Sequence, residues 1–302
     1  MPMVGGEGSR EGWIAMAGPA AGRASAWPEL SQREWGLAAL LLVVFAPALA
    51  ALAGVWSRVD YLSHGFLVPV VALWALLRER PRRARVPVRS DARGAFLLAG
   101  ALAAYLAGLG SGSVTLQGLA LVAAVAGAVW FTRGPAFLAA VAFPVAYLLF
   151  MVPPPDGWIT PLIVRLQLFV STVSIALLQG LGVAVVRDGN VLTLADGSSL
   201  FVAEACSGVT SIITLTPLGV LLAYFGLRSA WLRAALVLAV VPLAMAGNLV
   251  RVVLTVLVTE RFGLAVATEG PLHELLGLLT YVVACALLLA AAAGLRRLER
   301  PA

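Results

Sequence analysis

The chain is 302 residues long, 61% hydrophobic and 12% charged, with a mean hydropathy of +0.96. Soluble domains sit nearer about 45–50% apolar and about 25% charged. That excludes a soluble enzyme, a disordered chain and a secreted disulfide scaffold, and leaves an integral membrane protein with several spans. The net charge of +6 could suggest a nucleic-acid partner, but all 21 basic residues are Arg and lie mostly between apolar blocks. A membrane protein distributes positive charge across its two faces in this way, so no nucleic acid is expected. Cys206 and Cys285 are too few for a disulfide framework.

In chain order, apolar blocks predict spans at about 36–56, 63–78, 94–110, 113–131 and 135–152, then 206–226, 231–249 and 273–294. Most reach the roughly 17–25 residues that a hydrocarbon core needs. Ala48-Leu49-Ala50 in the first block looks like a signal-peptidase site. A secretory signal would start sooner and carry a basic head, so the block reads as an uncleaved anchor.

Orientation follows from the run Arg78-Glu79-Arg80-Pro81-Arg82-Arg83-Ala84-Arg85, with Arg89 and Arg93 behind it. Such a loop belongs in the cytoplasm. Alternation then puts 16 Arg inside and leaves Arg58, Arg165, Arg187, Arg251 and Arg261 outside. Residues 159–182 are apolar but carry Arg165, Gln167 and Gln179. A full span there would invert everything after it, so this stretch is expected to lie as an amphipathic helix at the outer interface. Residues 184–203 differ again. Asp188-Gly189 and Asp196-Gly197 stand between short β-type runs, which predicts a two- or three-stranded ribbon outside the bilayer.

The expected fold class is therefore an all-α polytopic membrane protein. It has about eight transmembrane helices, a small extracytoplasmic β ribbon and an interfacial amphipathic helix. Residues 1–34 read as a cytoplasmic N-terminal tail without fixed structure, 35–295 as the membrane domain, and 296–302 as a basic cytoplasmic tail.

Ionisable side chains near a membrane core are costly and tend to be functional. The outer face gathers three of them. Cys206 sits in Glu204-Ala205-Cys206-Ser207-Gly208, where ribbon meets helix; Arg251 follows Asn248 at the end of the seventh span; His273 opens the eighth. The topology argument used none of the three, yet it brings them to one depth. A thiolate is a nucleophile, and a helix N-terminus favours it. An imidazole can take and return a proton near neutral pH. A guanidinium can stabilise an oxyanion or orient a carbonyl. Together they describe acyl transfer through a thioester. No metal spacing and no phosphate-binding loop is present, so no cofactor is expected.

These residues resemble the exosortase/archaeosortase family. The resemblance is carried by Ala205-Cys206-Ser207-Gly208 after the ribbon, Asn248-x-x-Arg251 one helix later, His273-x-x-x-Gly277, and Tyr61-Leu62-Ser63-His64-Gly65-Phe66 near the start. It runs from about residue 35 to 295. It implies a membrane cysteine transpeptidase or protease. Its substrates would be exported, membrane-anchored proteins with a C-terminal sorting signal: a short motif, often Pro-Glu-Pro, then a transmembrane helix and a basic tail. It also implies Cys206 as nucleophile with Arg251 and His273 as partners, on the extracytoplasmic face of a bacterial inner membrane. The acceptor, water or an amine, stays open.

Each residue also has a plainer reading. Cys206 alone is a small buried side chain, Arg251 a snorkelling arginine and His273 an interfacial polar residue. Their convergence favours a site. His64, at the outer end of the second span, either lines that site or caps its helix. Glu204 either orients a partner or is merely solvated, and Ser207, Gly208 and Asn248 are expected to line the site. Arg251, Arg187 and Arg165 are candidates for binding an acidic motif. Cys285 lies roughly 18 Å deeper than His273 at 1.5 Å per residue and reads as structural. The competing functions are a polytopic transporter, which would place polar groups at the midplane of broken helices, and a non-catalytic envelope or exopolysaccharide assembly protein.

Overall fold

A computed structural model describes residues 30–79, 86–201, 208–268 and 271–299. The chain is mostly helical. Among the described residues, six helices are long and apolar enough to cross a membrane, or seven if a bent pair counts as one span.

The bent pair is α1 (Gln32–Val44) and α2 (Ala46–Arg58), which meet at 59°. Pro47 opens α2 and cannot donate back into α1, so the break falls at the buried Phe45. Ser31 and Glu34 form a capping box that starts α1 at Gln32, inside the 1–34 stretch expected to lack fixed structure; residues 1–29 lie outside the described residues. The second span begins as a 3-10 turn (Asp60–Phe66) and continues as α3 (Leu67–Arg78).

The predicted third and fourth spans form as α4 (Gly94–Gly110) and α5 (Val114–Arg133), of which α5 is long enough to cross a membrane. They form a tight hairpin. A Cβ on Gly94 would lie 2.3 Å from the Phe131 backbone nitrogen, and one on Gly127 would lie 3.0 Å from Leu98. Gln117, buried between them, donates to the Gly108 carbonyl at 3.3 Å.

The fifth predicted span, 135–152, is not one helix. It breaks into α6 (Pro135–Ala140), α7 (Ala142–Tyr147) and a 3-10 turn (Leu148–Met151). Pro144 removes a helical N–H at the break. Its longest apolar stretch, Ala142–Met151, falls short of a span, as does α4. The expected eight spans thus reduce to the six or seven above, and α8 (Asp156–Gly180) is among them by length and composition.

The ribbon forms as three antiparallel strands in the order β1-β2-β3: β1 (Val185–Asp188), β2 (Val191–Leu194) and β3 (Ser199–Phe201). Asp188 pairs with Val191, so the first turn is Gly189-Asn190, with Gly189 at φ +61°. In the second turn, Asp196 accepts from the Ser198 backbone N–H at 2.9 Å. The buried face of the ribbon, with Val185, Leu192, Leu194 and Leu200, packs on Val170 and Leu178 of α8.

The last three long helices are α9 (Val209–Gly226), α10 (Ala230–Phe262) and α12 (Pro271–Leu298), with the short α11 (Leu264–Thr268) before α12. The seventh span was expected to stop near residue 249. Instead α10 runs for 33 residues, about 50 Å at 1.5 Å per residue. A hydrocarbon core is about 30 Å thick, so α10 outlasts it. Its extra turns are stabilised because Val252 and Val256 are buried beneath the ribbon.

Contacts sort the helix ends into two groups. At one end Arg133 pairs with Glu34, the Arg89 N–H donates to the Arg133 carbonyl, Tyr224 donates to Glu79, and Glu299 accepts from the Arg228 and Ser229 N–H groups. At the other, Tyr61 packs with Ile159, Ile163, Val209 and Ile213.

Candidate functional site

Gly208 caps the N-terminus of α9 in the left-handed region, at φ +84°. A Cβ there would lie 3.0 Å from Met245 Sδ and 3.5 Å from Asn248 Nδ2. Glycine therefore serves twice: it allows the backbone turn and lets the start of α9 sit against α10. Asn248 is buried at that contact.

One turn further along α10, Arg251 faces a different helix. A Cβ on Gly277 of α12 would lie 3.0 Å from Arg251 Nη2 and 3.2 Å from its Cζ. The guanidinium thus occupies the space a larger residue would fill, and its Nε is buried. Below it, Gly247 lets α10 approach the Thr280 carbonyl to 3.5 Å, measured from its own ideal Cβ. Gly277 lies one turn after position 273 of α12.

Cys206, Ser207 and Glu204 lie outside the described residues, as does the His273 side chain. What is described are the two glycines that belong to their motifs. Gly208 closes on Asn248, and Gly277 closes on Arg251. The two glycines therefore meet consecutive turns of α10.

His64 is held elsewhere. Its Nδ1 lies 3.1 Å from the Tyr61 carbonyl and its Nε2 3.1 Å from the Phe150 carbonyl. Trp56 Nε1 donates to the neighbouring Met151 carbonyl at 2.8 Å, and a Cβ on Gly65 would fall 2.4 Å from the same indole nitrogen. This motif staples the 3-10 turn at Asp60–Phe66 to the one at Leu148–Met151. Its link to the α10 group runs through Tyr61, which packs beside Val209. Cys285 packs, partly buried, against the core that α9, α10 and α12 share. Among the described residues no three His, Cys, Asp or Glu side chains form a metal-holding group. Met245, the closest neighbour of Gly208, carried no signal in the sequence, because an apolar residue in an apolar helix does not stand out.

The sequence model of transmembrane exosortases matches residues 56–290, most of the chain and every motif above. The chain belongs to the transmembrane exosortase family. Exosortases are generally membrane cysteine proteases or transpeptidases that act on proteins bearing sorting signals. No curated protein and no solved structure matches this exosortase.

Proposed function

We propose that this exosortase cleaves a C-terminal sorting signal through a thioester on Cys206, with His273 and Arg251 as its partners. The observation that carries this reading is the convergence of Gly208 and Gly277 on Asn248 and Arg251. Gly208 and Gly277, the glycines of the Cys-Ser-Gly and His-x-x-x-Gly motifs, meet adjacent turns of one helix, which supports bringing Cys206 and His273 to one site.

In this reading the Cys206 sulfur attacks the scissile carbonyl, and Arg251 stabilises the oxyanion that forms. The C–N bond breaks, and His273 protonates the departing amine. An acceptor, water or an amine, then attacks the thioester and releases the thiolate. Asn248 holds Gly208, and so sets the approach of the nucleophile segment. Ser207 and Glu204, which flank Cys206 in the chain, belong to the site in this reading.

The site faces outward from a bacterial inner membrane, where a substrate anchored by its own helix would present its scissile bond. The Arg-rich end, with Arg78, Arg228 and Arg296, then faces the cytoplasm. We place α8 along the outer interface. Its first turns pack on the start of α9 and its last turns on the ribbon and the far end of α10, so both its ends serve the same end of the bundle.

The test is chemical trapping. Membranes holding the enzyme and a tagged substrate are quenched in acid and treated with hydroxylamine. A hydroxylamine-labile adduct with the wild-type enzyme, absent in Cys206→Ser, is expected. Substrate turnover without any such adduct, or an equal adduct in Cys206→Ser, would overturn the thioester route.

A further inference from the structure

At the end of the bundle opposite the candidate site, a cleft of about 690 Å³ opens where α3, α9 and α12 finish and α10 begins. That is within the roughly 300–1,000 Å³ of small-ligand sites. Its rim carries Arg78, Arg228 and Arg296, and its wall carries Trp74, Leu221, Leu222 and Phe225. We propose that this cleft binds an anionic phospholipid of the adjoining leaflet, with the phosphate between the guanidinium groups and an acyl chain on the apolar wall.

The rim is largely organised before any ligand arrives. The Arg78 guanidinium sits 5.6 Å above the Trp74 ring and 5.8 Å above Phe225. Those two rings brace each other edge-to-face at 5.2 Å. Arg296 donates from Nε to the Gly226 carbonyl at 3.2 Å, which leaves its terminal nitrogens for another acceptor. It lies so close over Gly226 that a Cβ there would meet Nη2 at 2.9 Å.

Glu299 is the acidic residue of the rim, and its charge is already engaged. Its oxygens accept from the Arg228 N–H at 2.9 Å and the Ser229 N–H at 2.6 Å, at the positive N-terminus of α10. One carboxylate, which also feels the charges of Arg228 and Arg233, faces the three guanidinium groups of Arg78, Arg228 and Arg296, so the rim keeps a net positive charge that a phosphate diester complements. Trp74 is 45% exposed, so the apolar wall opens toward lipid. A free anion would use the arginines and leave that wall uncovered. Basic pockets between helix ends are known acceptors for anionic headgroups.

The full-length protein is reconstituted in nanodiscs of phosphatidylcholine, with or without phosphatidylglycerol. Retained phosphatidylglycerol is then counted by native mass spectrometry after stripping, alongside the melting temperature. Wild type is expected to retain phosphatidylglycerol and melt higher with it. Arg228→Gln and Arg296→Gln should each weaken retention about fivefold. Arg228→Gln leaves the backbone N–H bonded to Glu299, so it tests the rim even if Arg296→Gln misfolds. Arg261→Gln removes equal charge far from the cleft and should retain lipid as wild type does. Equal retention in the rim variants, or equal loss in Arg261→Gln, would overturn the proposal. So would inorganic phosphate in phosphatidylcholine discs raising the melting temperature as much as phosphatidylglycerol does.

Discussion

The guanidinium of Arg251 lies against the backbone of Gly277, with Nη2 3.0 Å and Cζ 3.2 Å from where a Cβ would stand. This contact joins α10 to the turn of α12 that follows His273. Gly277→Ala should make the guanidinium give way by a few tenths of an ångström. A misplacement of about 1 Å can cost about 100-fold in rate, so this smaller shift should cost less than that. The expected result is a measurable drop in substrate processing, below about 100-fold, in protein that still inserts and melts normally. Unchanged processing in Gly277→Ala would separate Arg251 from the chemistry.

Gly208 tests the other half of the convergence. At φ +84° a side chain costs about 1–2 kcal/mol, and its Cβ would press on Met245 Sδ at 3.0 Å. Gly208→Ala should lower the melting temperature and reduce processing. Adding Met245→Ala should relieve the steric part and leave the backbone part. A double variant no better than the single would show that crowding by Met245 contributes nothing.

The limits of the sequence are instructive at these positions. The extent of α4, Gly94–Gly110, matches its apolar run. The ribbon was legible from its Asp-Gly turns. The far end of α10 was not. Arg251 looked like a terminus because a charge marks where lipid ends, whereas the helix continues for as long as Val252 and Val256 have the ribbon to cover them. The break at Val141 was hidden because Pro144 sits in an unbroken apolar run. The residue types of the site stood out as rare polar groups in apolar helices. Their register did not: nothing local shows that Gly208 meets Asn248 or that Gly277 meets Arg251.

His64 provides a contrast with the α10 group. A neutral imidazole donates from one nitrogen at a time, and both ring nitrogens face carbonyls, of Tyr61 and Phe150. His64→Ala should therefore destabilise the fold by about 1–3 kcal/mol, read as a lower melting temperature. Protein that survives should process substrate at close to the wild-type rate per folded molecule. A rate collapse at normal stability would instead put His64 in the chemistry.

Glu299 gives an acid-side prediction. Hydrogen bonds from the Ser229 and Arg228 N–H groups hold its carboxyl below the ordinary 4.5. A depressed carboxyl stabilises the fold above its unfolded value and loses that contribution as pH falls through its folded value. Stability tied to the α10 N-terminus should therefore be constant from neutral pH down to about 5 and decline below about 4.5. Glu299→Gln should remove that part of the decline. A variant with an acid profile identical to wild type would show that the contact carries no pH dependence.

The most direct test follows the size of a co-encoded protein with a C-terminal motif, helix and Arg-rich tail, in the native host, with Cys206 intact or as Cys206→Ala. The account predicts that the unprocessed form accumulates only with Cys206→Ala. Unchanged processing by a stably expressed Cys206→Ala enzyme would contradict it and return the chain to the transporter or scaffold readings.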